Sequence, residues 1–117
     1  MSDPAELALV VKAIMSGLGG CVEWKREVFD RVQEELAKSL LTPRQVRDIV
    51  IQHVRLGGEV IQVLEEREPW NLERTYWYKI IVPVPGVFPK GLFVECVLAD
   101  ADPDLPEIEF VNAHQQL

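Results

Sequence analysis

Residues 75–84 read TYWYKIIVPV, a run of aromatic and β-branched residues that is typical of a β-strand. Successive side chains of a strand point to opposite faces, so the two faces of this run differ in chemistry. One face takes Tyr76, Tyr78, Ile80 and Val82, and the other takes Trp77 and Lys79.

Three further runs have the same character: EVIQVLEE at 59–66, GLFVECVLAD at 91–100 and EIEFVNAH at 107–114. Short connections with turn-forming residues separate consecutive runs. Parallel pairing would require longer crossovers between strands. The sequence therefore predicts an antiparallel meander in the second half of the chain.

Helices are predicted before the strands. DPAE at 3–6 and TPRQ at 42–45 each combine a capping side chain, a proline at the first helical position and a Glu or Gln three residues after the cap. Another helix is predicted over about 25–39, with its apolar side chains facing inward. Those side chains are Phe29, Val32 and Leu36.

Helices followed by strands indicate an α+β fold, in which N-terminal helices pack on a small, mainly antiparallel C-terminal sheet. The 117 residues suffice for one hydrophobic core, and no linker divides them, so we expect a single domain over 1–117. A hydrophobic content of 48% matches a globular protein. No apolar run reaches the roughly 18 residues of a membrane span, so we expect a cytoplasmic protein without a membrane partner.

The acidic charge is confined to the second half of the chain. Residues 1–58 contain eight basic and eight acidic side chains, whereas residues 59–117 contain four and eleven, and the net charge is −7. Nucleic-acid binding depends on neutralised phosphates, so this distribution disfavours RNA, and we expect no DNA partner. It favours a protein partner, a second copy of the chain or a small-molecule ligand.

We expect neither a metal nor a cofactor. The turn LADADPDLPE at 98–107 resembles the start of a calcium loop, but Leu105 and Val111 stand where that loop requires a glycine and a glutamate. An acidic turn between strands is therefore favoured over a cation site. Cys21 and Cys96 are isolated in the sequence, which favours reduced, buried thiols over a zinc site or a disulfide.

The strongest single candidate for proton transfer is His114. In a regular strand it lies on the face of Ile108, Phe110 and Asn112. If that face packs against the helices, His114 lies at the rim of the core, where an imidazole can act as a general acid or base near neutral pH. The alternative is a hydrogen-bonded residue of an edge strand.

Candidate ligand contacts occur around residues 70–79. Trp70 lies outside any periodic element, where it either packs over the edge of the sheet or anchors a ligand. Arg74 and Tyr76 belong to the one basic and aromatic segment of the acidic half, a mixture that can hold a phosphate and stack on a base. Ordinary strand aromatics and a surface ion pair of Arg74 with Glu73 or Glu95 are the alternative.

Three segments give the chain a family resemblance: VEWKREVFDRV at 22–32, LLTPRQVRDIV at 40–50 and LGGEVIQVLEE at 56–66. Their order resembles the BrnT-type ribonuclease toxins of the RelE superfamily. In that family a strand and a helix with a His-Ala-x-x-Arg type motif precede a short helix and a small antiparallel sheet. The resemblance covers residues 22–114 and leaves residues 1–20 as an additional N-terminal helix.

The resemblance implies RNA cleavage by cationic and imidazole groups. Arg31 matches the arginine of the family motif, whereas Glu27 stands where its histidine is expected. For an active ribonuclease we expect His114 as general acid or base, Arg31 and Arg74 as phosphate contacts, and Glu27 as a proton acceptor. The substrate contacts would be Tyr76 and Trp70.

Two hypotheses of function remain. The first is a ribonuclease, or a relative of one that has lost catalysis. The second is a non-enzymatic interaction module that forms a dimer or binds a partner through Trp70 and the acidic half. The convergence of His114, Arg31 and Arg74 on one concave site would favour the enzyme.

Overall fold

The computed structural model describes residues 2–117. Five strands form one mixed sheet in the spatial order β1-β5-β4-β3-β2. The predicted α+β class is confirmed: the helices precede four of the five strands, and the sheet is antiparallel in three of its four strand pairs. The strands are β1 Val22–Trp24, β2 Ile61–Leu64, β3 Tyr76–Val84, β4 Phe88–Asp100 and β5 Glu107–Gln115.

The three helices are α1 Pro4–Ser16, α2 Phe29–Ala37 and α3 Pro43–Arg55. Both predicted helix starts are confirmed, because Asp3 accepts a hydrogen bond from the Glu6 N–H, and Thr42 and Gln45 form a reciprocal capping box. α2 is shorter than predicted, since residues 26–28 form a 3₁₀ turn. The prediction that Phe29 faces inward is wrong: its side chain is exposed at the start of α2.

Strands β2 to β5 form the predicted antiparallel meander. β1 was not predicted from the residue pattern. Its three residues pair in parallel with β5, which brings Val22 opposite Ile108. The hydrogen bond from the Lys25 N–H to the Phe110 carbonyl (2.9 Å) extends this pairing and delivers the following segment to the end of the sheet.

The helices cover one face of the sheet and share a single hydrophobic cluster with it. Tyr78, Ile80 and Phe110 are fully buried on that face, together with Val10 and Ile14 of α1. α1 therefore belongs to the same core as the segment 22–114. The tyrosine hydroxyl of Tyr78 reaches the rim of this core, where it hydrogen-bonds Glu6 and Gln62.

Cys21 and Cys96 are free and buried, as predicted. Burial raises the pKa of the Cys96 thiol well above its ordinary value, so this group is protonated at neutral pH. No helix within residues 2–117 is long and apolar enough to span a membrane.

A β-bulge at Val111 changes the direction of the C-terminal side chains. Phe110 pairs with Cys96, but the next paired residue, Asn112, lies opposite Glu95. Val111 is therefore the extra residue, and the alternation shifts by one position. The prediction that Ile108, Phe110, Asn112 and His114 share a face is wrong, because Asn112 and His114 lie on the face away from the helices.

Candidate functional site

A cleft of about 190 Å³ lies on the face of the sheet that the helices leave open. One wall is the segment that runs from the end of β1 into α2, and the other is the loop between β2 and β3. β4 and β5 supply the floor, at the position of the bulge. The lining residues are Lys25, Val28 and Arg31 in the first wall, Arg67, Trp70 and Arg74 in the second, and Glu95, Val111 and Asn112 in the floor.

Two buried glutamates hold the arginines of the second wall. Glu65 directly follows β2 and has a fully buried side chain, and its carboxylate accepts hydrogen bonds from Arg67 Nε (2.9 Å) and Arg74 Nε (3.0 Å). Glu95 accepts two more from Arg67, the shorter being 2.7 Å from Nη2. The Arg67 guanidinium also lies 4.9 Å from the centre of the Trp77 ring. The position of Arg67 is thus fixed on three sides.

The ionisation of this network follows from its contacts. Burial alone raises the pKa of a carboxyl group, but hydrogen bonds from Arg67 and Arg74 outweigh it and hold the pKa of Glu65 below its ordinary range. Hydrogen bonds to Glu95 and Glu65 raise the pKa of Arg67. Glu65 and Arg67 are therefore both charged at neutral pH.

The cleft carries an excess of positive charge. Four cationic side chains line it, and Glu65 and Glu95 neutralise two of them. Arg31 is exposed and reaches the floor only through long hydrogen bonds, 3.3 Å to the Asn112 side chain and 3.4 Å to the Val111 carbonyl. Its guanidinium can therefore turn to a ligand with little loss of internal bonding. An anion is the ligand that this charge favours.

His114 lies beside the cleft rather than inside it. Its ring stacks on Phe93, with 4.6 Å between ring centroids, and it lines an adjoining depression together with Arg31 and Asn112. Nδ1 lies 2.9 Å from the Gln115 carbonyl oxygen, which can only accept, so in the neutral ring Nδ1 carries the proton. Nε2 then has a free lone pair and can act as a base.

The cleft brings together three of the six predicted site residues. Arg31, Arg74 and Trp70 line it, and His114 adjoins it through Arg31. Tyr76 is buried on the opposite, helix-covered face and does not line the cleft. Glu27 is exposed in the 3₁₀ turn and does not line it either.

Sequence reasoning missed Lys25, Arg67, Glu65 and Glu95. A signal existed for Glu95, a lone charge between apolar neighbours in FVECVL, because a charged residue on a buried strand requires a partner. Arg67 is one of only four cationic residues in the second half of the chain. The predicted surface pairing of Arg74 with Glu73 or Glu95 is wrong, since its partner is the buried Glu65.

Two carboxylates of the acidic turn at 98–107 accept hydrogen bonds from backbone N–H groups of the same turn. Asp100 accepts from the Asp102 N–H and Asp102 from the Asp104 N–H, both at 2.9 Å. These are ordinary turn hydrogen bonds. Across residues 2–117, no group of three or more His, Cys, Asp or Glu side chains is arranged to hold a metal ion.

No protein-family model, curated protein or solved structure matches the chain.

Proposed function

We propose that the chain binds RNA at this cleft and cleaves it with His114 as the general base. One observation carries the proposal: Arg31 and Arg74 line a cleft with excess positive charge, and Arg31 also lines the depression that holds His114. A ligand phosphate bound by Arg31 would therefore lie between the cleft, which Arg74 lines, and the depression, which His114 lines. The acidic remainder of the surface does not oppose this, because a small basic cleft acts locally.

The chemistry requires two kinds of group. Guanidinium groups stabilise the charge that develops on the phosphorane, and their planar donors match phosphate oxygens. A base must remove the proton from the attacking 2′-hydroxyl. His114 Nε2 takes that proton as the O2′–P bond forms, the P–O5′ bond breaks, and the departing 5′-oxygen takes a proton from water. Glu27 has no part in this scheme.

On this proposal the chain is a divergent relative of the BrnT-type and RelE-superfamily toxins that acts in the cytoplasm. Arg31 keeps the position of the motif arginine. His114, which the bulge at Val111 directs to the open face, replaces the histidine that Glu27 displaces. The proposal thus accounts for the departure from the family motif by moving proton transfer to the sheet.

The experiment compares four proteins against a cellular RNA pool: wild type, His114→Ala, Arg31→Gln and Arg44→Gln. Arg44 is exposed on α3 and lies outside the cleft, so Arg44→Gln is the matched control for loss of one arginine charge. We expect cleavage by wild type and Arg44→Gln. His114→Ala should lose about 10²–10⁴-fold in rate, the usual contribution of a general base.

If wild type and His114→Ala both give only background levels of cleavage products, the ribonuclease hypothesis is wrong. The interaction module would then be the better account, and exposed apolar side chains near the cleft favour it: Leu72 is 86% exposed and Trp70 40%. Light scattering of wild type and Trp70→Ala would test it, because association through this loop should weaken in the variant.

A further inference from the structure

The cleft and the depression beside it share two lining residues, and we refer to the two together as the groove. Arg31 and Asn112 belong to the linings of both, the cleft on the side of Trp70 and the depression on the side of His114. The cleft measures about 190 Å³ and the depression about 400 Å³. The cleft alone is smaller than the roughly 300–1,000 Å³ of typical organic-ligand sites, whereas the depression already falls within that range.

The two ends of the groove differ in charge, but each has an aromatic side chain. The cleft has excess positive charge and contains Trp70. The depression contains two carboxylates, Glu34 and Glu35, and two cations, Lys38 and the shared Arg31, so its formal charges cancel. Lys38 donates to Glu35 at 2.9 Å. The aromatic side chain of the depression is His114, whose ring is supported by Phe93. A phosphate is therefore favoured at Arg31, on the side of the cleft, over the part of the depression beside Glu34 and Glu35.

We propose that the groove takes two consecutive nucleotides, with the linking phosphate at Arg31 and Asn112, one base on Trp70 and the other on His114. Bases stack on aromatic side chains with little dependence on their identity. The exocyclic amino group of a base in the depression can donate to Glu34 or Glu35. This inference rests on the proposed function and specifies its ligand as a single strand with one phosphate between two bases.

The probe is a dinucleotide with a 2′-O-methyl group, which prevents cleavage. Its matched controls are two versions in which one or the other nucleotide lacks its base, so that the charge is the same. A nucleoside triphosphate serves as a probe with more phosphate and one base. Calorimetry gives the affinities, and amide NMR spectra show that each protein is folded.

We expect the complete dinucleotide to bind about tenfold more tightly than either abasic version, as one base stacked on an aromatic side chain would give. The triphosphate should bind no more tightly than the dinucleotide. In His114→Ala, one of the two abasic versions should bind as tightly as the complete dinucleotide. His114→Phe keeps a stacking ring and should retain the tenfold difference between them. Trp70→Ala should remove the preference for the other base.

Two results would overturn the inference in different ways. If all dinucleotides bind equally and Arg31→Gln abolishes that binding, the phosphate site stands and the two base positions do not exist. Tighter binding of the triphosphate than of the dinucleotide would likewise show that phosphate contacts, and not two base positions, determine the affinity. If no probe binds to the wild-type protein, the proposed function fails together with the inference.

Discussion

Neighbouring residues of β4 serve two different environments. Val94 and Cys96 point to the helices and join the hydrophobic core, whereas Phe93 and Glu95 point to the open face, where Glu95 binds Arg67 and Phe93 supports His114. The helix-covered face is stabilised by the packing of apolar side chains. The open face contains charged side chains that hold one another in place, so their positions depend on the whole network rather than on packing alone.

The core face should respond most strongly to truncation. Phe110 is fully buried and packs against Trp24, with 5.2 Å between ring centroids. Phe110→Ala removes this contact and leaves a cavity, so we expect a loss of about 3–5 kcal/mol in the free energy of unfolding, measured by urea denaturation. Leu72→Ala, at an exposed position, should change it by less than about 0.5 kcal/mol. Similar losses in both variants would contradict the assignment of the core.

The ionic network of the open face should give the next largest effect, and one that depends on pH. Glu65→Gln removes the charge that binds two arginines, which should cost about 2–3 kcal/mol at pH 7. The pKa of Glu65 is lowered in the folded state, so its stabilisation is complete above the ordinary glutamate pKa of about 4.3. It disappears as the pH falls through the lower, folded-state pKa.

The measurement is the difference in unfolding free energy between wild type and Glu65→Gln from pH 7 to pH 2. The difference should be constant above about pH 5 and shrink below about pH 4. Glu66→Gln is the matched control, because Glu66 is its exposed neighbour. A difference between wild type and Glu65→Gln that stays constant down to pH 2 would show that Glu65 is not held as a carboxylate by Arg67 and Arg74.

The same contrast explains how much the sequence could predict. The helix starts at Asp3 and Thr42 depend on side chains within four residues, and the strands depend on local alternation, so both were predictable. β1 was missed because three residues carry no pattern, and their partner strand lies more than 80 residues away. The bulge at Val111 was missed because alternation assumes a regular ladder.

The candidate site was predictable only in part, for the same reason. Arg31, Arg74 and Trp70 were recognised by residue type, but the distances between them do not follow from residue type. Arg67 lies in a loop of mixed charge, and its role depends on Glu65 and Glu95 from two different parts of the sheet. Such a network is formed by tertiary contacts, which no local pattern encodes.

Arg31 should affect stability least of the residues on the open face. It is exposed, and its hydrogen bonds to Asn112 and Val111 are long, so Arg31→Gln should change the unfolding free energy by less than about 0.5 kcal/mol. Glu65→Gln, by contrast, removes a group that the fold itself uses. A loss above about 1.5 kcal/mol in Arg31→Gln, measured by urea denaturation beside Arg44→Gln, would make Arg31 a structural residue. A neutral result together with lost RNA binding would separate the groups that build the open face from the group that is free to bind a ligand.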